Sequence, residues 1–534
     1  MYIKHLFGLF GLLYILTACA PSGTVSDWSD DYDQMLTSTP TTMDYGWLAD
    51  KYGTATTDTD EKRVVAVLLP MSGTNASVGN TIRTSVETAV LQHAPKNLSV
   101  SFFDTSSNAT DAINSALALE PQVIIGPVFS ANARLLRVLK PEHIPAISFT
   151  SDATAVGDGV MTMALMPTNS IETIVRQMQT DNVNKFIILA PDTDSGRLMA
   201  GTAKYAGDIY NIDTVGIFYY NESDPESIKN TTISASMNTA RTSANTRARA
   251  ILADILTRET LTAVEKSNLN IQLDKLSKID TLGPVPYNGI LFLGNADDSM
   301  KLASFLRYYG VGARDAKMYG TAMWDGTTIS SDITMSGAKY ATLPDSSTTF
   351  AGTYQQISGT LPSRLASFGY DATNMAIGML YSDKPISSYL LDPSGYVGTD
   401  GLFRLKPTGD NERGLRIIQL RGDGTTTQLK PAPENFMTPL YNIEQRHIRP
   451  ASPMSLQTPG INPNNYISIP QRYASKYRSK TYGANMTVPK QTVQTNEITI
   501  LPEDDREIIT SENYKPVKIE SIQRNYIDSY EIEE

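Results

Sequence analysis

The sequence predicts an α/β protein with two successive parallel α/β sets, with a tether before them and a low-order tail after them. Two observations carry this. Between residue 63 and about residue 431, buried-strand runs alternate with helical patterns, and strands joined by helices of that length form a parallel sheet with right-handed crossovers. Outside that span the apolar periodicity stops, and Ser, Thr, Asp and Gly before it or scattered proline after it take over.

The first twenty residues, MYIKHLFGLFGLLYILTACA, open with Lys4 and an apolar stretch too short to span a bilayer as a mature helix. They end in Leu-Thr-Ala-Cys, and Cys19 is the single cysteine of the 534-residue chain. This segment resembles a bacterial lipobox, which implies a signal peptide over 1–19 and a lipidated Cys19. Acyl chains would anchor the protein without a spanning helix. Ala20 follows the cysteine where an inner-membrane retention signal would have Asp. The resemblance therefore implies an outer-membrane lipoprotein facing the periplasm, with 20–62 as the tether.

In the body, VVAVLLP is a strand closed by the turn MSGTNASVG. NTIRTSVETAVLQHA follows with Ile82, Val86, Ala89 and Val90 near helical spacing. LSVSFFD, QVIIGPV and IPAISFT are further strands, separated by DAINSALAL and SANARLLRVLKPEH as helices. A second set runs KFIILAP, SGRLMAGTAKYAGDIY, DTVGIFYYNE, YNGILFLGNA, DDSMKLASFLRYYG, AKMYGTAMWD and AKYATLP. The stretch 223–283 interrupts that set with much helical periodicity. It reads either as a partner-binding arm or as an αα-hairpin packed on its own lobe.

Composition excludes several functions. Lys and Arg number 45 against 56 Asp and Glu, a net charge of −11, so general affinity for nucleic acid is not expected. His5, His93, His143 and His447 lie far apart, and with one cysteine they supply neither a zinc site nor a Cys/His pair. No phosphate loop or Ser/His/Asp set can be assembled. A non-catalytic protein with no cofactor, no metal and no catalytic residues is expected.

The order of motifs resembles type I periplasmic binding proteins of the branched-chain amino-acid receptor family. VVAVLLPMSGTNASVGNTIRTSVETAV, VIIGPVFSANARLLRVLKPEHIPAISFTSDATAV, FGYDATNMAIGML and GYVGTDGLFRLKPTGDNERGLRIIQL carry the likeness in sequence order. It implies two Rossmann-like lobes joined by three crossing strands, with a cleft between them. Lobe 1 would be 63–166 plus 346–402. Lobe 2 would be 167–345 plus 403–429, leaving 430–534 as the tail.

The same resemblance places Ser72, Ser130, Ser148 and Thr150 where first-lobe groups clamp a carboxylate. Asp152 stands where the family has threonine and would repel a carboxylate. The second-lobe tyrosine falls at about Asn295 or Ala296, and the ammonium-binding acid at about Ala322. Asp152, Asp297 and Asp325 are the candidates to replace that acid. Phe149, Met323 and Trp324 are the candidates to fill the cleft.

ISFTSDATAV, GTAMWD and the run Gly395, Gly398, Gly401 with Arg413 beyond resemble a narrower group, the penicillin-binding-protein activators. That likeness implies a regulator that binds a bifunctional penicillin-binding protein, a peptidoglycan synthase. No helical-repeat domain of the kind some activators carry is legible before Arg63. The alternative is a lipid-anchored receptor of an ABC transporter, holding an amino acid or other small molecule in the cleft.

Overall fold

A computed structural model of the chain describes residues 40–43, 62–436, 439–443, 448–456 and 460–477. Cys19, the signal segment, most of the tether, His447 and residues 478–534 lie outside them.

The chain enters through a two-residue strand, β1 (Thr41–Thr42). Lobe 1 then alternates β2 (Arg63–Leu69), α1 (Ala76–His93), β3 (Leu98–Asp104), α2 (Ala109–Leu117), β4 (Val123–Ile125), α3 (Ser130–Leu139), β5 (Ala146–Ser148) and β6 (Val160–Thr162). Its sheet has the order β3-β2-β4-β5-β6 and is parallel throughout. Val65 to Leu69 are buried without alternation, because helices cover both faces of a parallel sheet.

Lobe 2 begins with α4 (Pro167–Thr180), β7 (Lys185–Pro191), α5 (Asp194–Ile209) and β8 (Asp213–Tyr220). Helices α6 (Pro225–Ala235), α7 (Asn238–Leu256) and α8 (Ala263–Ser277) follow, then β9 (Gly289–Phe292), α9 (Ala296–Tyr308), β10 (Lys317–Gly320) and β11 (Lys339–Thr342). The chain returns to lobe 1 for α10 (Thr348–Ser358), α11 (Arg364–Tyr381), α12 (Ile386–Leu390), β12 (Tyr396–Gly398), β13 (Gly401–Leu405) and β14 (Asn411–Arg413). It goes back to lobe 2 for β15 (Arg416–Leu420) and β16 (Thr426–Lys430), and a last helix, α13, spans Gln471–Tyr477. The second sheet has the order β16-β15-β11-β10-β9-β7-β8, with β15 and β16 antiparallel.

The stretch 223–283 supplies α6, which packs on β8 and α9, and the α7–α8 hairpin. Thr262 and Glu265 form a capping box that starts α8. Ala244, Ala248, Ile251, Leu252 and Ile255 of α7 share a core with Leu269 and Leu276 of α8 and with Tyr477.

Two boundaries differ from the sequence reading. Residues 403–413 were expected in lobe 2, but β13 and β14 pair with β12 and stay with lobe 1. The physical reason is their turn: Gly409, at φ +91°, lies so close to Gly157 that a Cβ would approach its nitrogen to 2.3 Å, and its carbonyl accepts the Thr162 N–H at 2.8 Å. Asn411 further donates its amide to the Thr162 and Ala164 carbonyls. The second difference concerns 431–477, expected to be of low order. Its described parts bury Phe436, Ile443, Ile448 and Tyr477 on the body.

The hinge sheet has the order β1-β12-β13-β14. On its edge strand β14, Arg413 is fully buried, with its guanidinium 4.6 Å from the Phe368 ring and 5.1 Å from that of Phe403. Three segments cross between the lobes, 163–166, 343–347 and 414–415.

Candidate functional site

The sheets of the two lobes face each other across a cleft of about 920 Å³. Its walls come from the carboxyl ends of strands and the helix starts beside them, the usual place for a ligand in such sheets. Ser130 starts α3, Pro167 starts α4, and Thr193 caps α5 by accepting the Gly196 N–H at 3.0 Å.

Three of the expected residues line this cleft: Ser130, Thr150 and Asp152. Thr150 is nearly buried, and its hydroxyl accepts the Asp152 N–H at 3.2 Å. Asp152 does not stand as a bare charge. It is ion-paired with Arg134 and accepts the Thr154 N–H at 2.8 Å and its hydroxyl at 2.7 Å. Arg137, one turn along α3, donates to the carbonyls of Thr154 and Val156 and meets Asp158 at 3.3 Å. The two arginines thereby lash the loop 150–158 to α3. Their i,i+3 spacing was readable in SANARLLRVLK, but their targets were not.

The other three expected residues are not among those lining the cleft. Ser72 is exposed, and it helps hold Asp104: burial raises that carboxyl, but Ser72, Ser106 and the Met71 N–H outweigh it and leave it well below the usual range. Ser148 is buried and donates its hydroxyl to the Pro127 carbonyl at 2.7 Å. Asn295 caps α9, accepting the Asp298 N–H at 2.9 Å and donating to Glu222 at 3.2 Å. Glu222 is the cleft-lining member of that pair.

On the second lobe Ala322 lines the cleft at the position assigned to the ammonium acceptor, and its N–H donates to the Ser170 hydroxyl at 3.0 Å. Asp325 is ion-paired with Arg364 at 3.0 Å, and Asp297 is exposed on the first turn of α9. Of the expected fillers only Met323 faces the cleft. Phe149 belongs to the main core and Trp324 to the second-lobe core. Ile448, Arg449 and Pro450 complete the wall, from a stretch expected to be of low order.

Among the described residues no group of three or more His, Cys, Asp or Glu could hold a metal ion. Among them, too, no helix is long and apolar enough to cross a membrane.

Comparison with known proteins places the chain. It is 26% identical over 165 residues to penicillin-binding protein activator LpoA of Mannheimia succiniciproducens, and 25% identical over 162 residues to that of Pasteurella multocida. These alignments take in 30% and 29% of this chain and only 28% of each relative's length. Among solved structures, a putative branched-chain amino acid ABC transporter from Rhodospirillum rubrum superposes with a TM-score of 0.51 at 14% identity. That match covers 69% of this chain and 100% of the other, and at this identity it speaks for the fold alone. The two-lobed body thus has the type I periplasmic-binding-protein fold, and residues 55–275 match the family described as LppC putative lipoprotein.

Proposed function

We propose that this protein is a lipid-anchored, non-catalytic regulator that binds and stimulates a peptidoglycan synthase of the bifunctional penicillin-binding class. It would sit on the outer membrane through Cys19 and face the periplasm. The two relatives named as penicillin-binding protein activators suggest the class. The observation that carries the reading against a nutrient receptor is Ala322. A methyl group lines the cleft at the position that the family resemblance assigns to the ammonium-binding carboxylate, so the charge partner an amino-acid receptor would use there is missing.

The test is crosslinking in cells followed by identification of the partner, then addition of the purified protein to that synthase. Stimulated transpeptidation is the expected result; recovery of a transporter subunit instead would sink the reading. The anchor is tested by Cys19→Ser, which is expected to leave the membrane fraction. A variant still wholly membrane-bound would refute the lipid anchor.

A second reading, a receptor for a small ligand, draws on the cleft itself, which is open, about 920 Å³ in volume and rich in hydroxyls. Tight calorimetric binding of an amino acid or short peptide would favour it over the first.

A further inference from the structure

Two-lobed binding folds change their aperture by rotating about the crossing segments, and three such segments leave that rotation easy. Here the chain crosses twice more. After β16, on lobe 2, it runs to the hinge sheet of lobe 1 and buries Phe436 there to 2% exposure. The Arg404 guanidinium lies 4.5 Å from that ring. The ring also packs on Gly395, where a Cβ would come within 2.5 Å of it.

The chain then turns back to lobe 2. The N–H groups of Asn442 and Ile443 donate to the carboxylate of Glu172 on α4, at 2.7 and 3.0 Å, and that carboxylate is fully buried. Between these anchors the Tyr441 hydroxyl donates to the carbonyl of Arg413, at the end of the last hinge-sheet strand. Further on, the segment lies along α5 and β8. Ala451 donates its N–H to Arg197 at 2.9 Å, and Ile217 and Met454 exchange backbone bonds at 2.8 and 2.9 Å. Ile448, Arg449 and Pro450 form part of the cleft wall on the way.

We propose that residues 431–436, 439–443 and 448–456 act as a strap that holds the two lobes at a fixed angle, so that the cleft keeps its aperture whether or not anything occupies it. Rotation of one lobe would draw Phe436 out of its pocket or pull two N–H donors from a buried carboxylate. Neither loss is made good by water, since both anchors are buried. Without those anchors the segment would merely decorate lobe 2. The proposal concerns the body alone, and no partner enters it.

The test is a distance measurement between spin labels on the full chain carrying Cys19→Ser, with Ser77→Cys on α1 and Ser267→Cys on α8 as label sites. Both positions are exposed. A single narrow distribution is expected for the parent, unchanged on adding an amino-acid mixture. Phe436→Ala is expected to broaden and shift it while circular dichroism shows the body folded. A parent already broad, or a folded Phe436→Ala variant with the parent's distribution, overturns the proposal. Should Phe436→Ala fail to fold, Tyr441→Phe, which removes one hydroxyl from the strap, is read in the same way.

Discussion

Arg364, at the start of α11 in lobe 1, places its guanidinium 3.0 Å from the carboxylate of Asp325 in lobe 2. The same guanidinium meets Asp400 at 3.0 Å, and Asp400 has no exposed surface. One cation therefore neutralises a buried carboxylate of its own lobe and ties it to the other. Arg364→Leu is expected to cost about 3–5 kcal/mol, because it leaves a buried charge unpaired. Arg83→Ala breaks an exposed pair with Glu87 and is expected to cost below about 0.5 kcal/mol. Denaturant unfolding of both variants checks the contrast.

A second consequence concerns pH. Burial, reinforced by Asp400, pushes the Asp371 carboxyl up to about 7, against the donations from Thr399. The folded protein thus holds this proton more tightly than the unfolded chain. The Asp371 contribution is fully present below the ordinary carboxyl range and is lost as pH rises toward about 7. Carboxylates held low, such as Asp104, act below that window, and their contribution is complete within it. Melting profiles from pH 4.5 to 7.5 are expected to decline for the parent, by at most about 1.4 kcal/mol per pH unit. Asp371→Asn, which keeps an acceptor for the Thr399 N–H, is expected to flatten that decline.

Gly201 on α5 tests how closely the C-terminal segment is seated. A Cβ there would lie 1.9 Å from the carbonyl oxygen of Arg449, so the segment must lift to admit it. Alanine favours a helix over glycine by about 1 kcal/mol, which works against the strain. We expect Gly201→Ala to lower stability by about 1–2 kcal/mol net. Limited proteolysis with mass spectrometry is expected to show faster cleavage within 448–456 than in the parent.

Neighbouring residues in GTAMWD should separate stability from cleft chemistry. Trp324 is 1% exposed, donates its indole N–H to Ser299 at 3.1 Å, and packs between Phe292 and Tyr340. Trp324→Ala is expected to cost about 3–5 kcal/mol in thermal or denaturant unfolding. Met323→Ala, at the cleft wall, is expected to change stability by less than about 1 kcal/mol and to act only on whatever binds in the cleft.

What could be read from the sequence followed from period. Strands and helices alternate in the body with strong apolar patterns, so the order of the elements was legible, while the division into lobes rested on the family resemblance. Roles set by contact across the fold were not. Ser148 looks like a free hydroxyl at a strand end until Pro127, 21 residues earlier, brings its carbonyl to 2.7 Å. Asp152 looks repulsive until α3 brings Arg134 beside it. Asn295 did carry a signal: an Asn three residues before Asp298 at the start of a helical run is a cap pattern. The C-terminal segment escaped because PAPENF and IRPASPMS dock by single residues, such as Phe436 and Ile448, instead of by a repeating face.

The pairing of β1 with β12 changes the geometry of attachment. The Thr41 N–H bonds to the Gly395 carbonyl at 2.9 Å and Met43 is buried, so among the described residues the chain is clamped to the body there, ahead of Arg63. With the lipid proposed at Cys19, the leash to the clamp is roughly 20 residues, at most about 75 Å when drawn out, against about 150 Å if it ran free to β2. The clamp lies on the same hinge sheet that receives Phe436, beside Gly395. A pull arriving along the chain at Thr41 would therefore load the joint between the lobes, not the far end of either one.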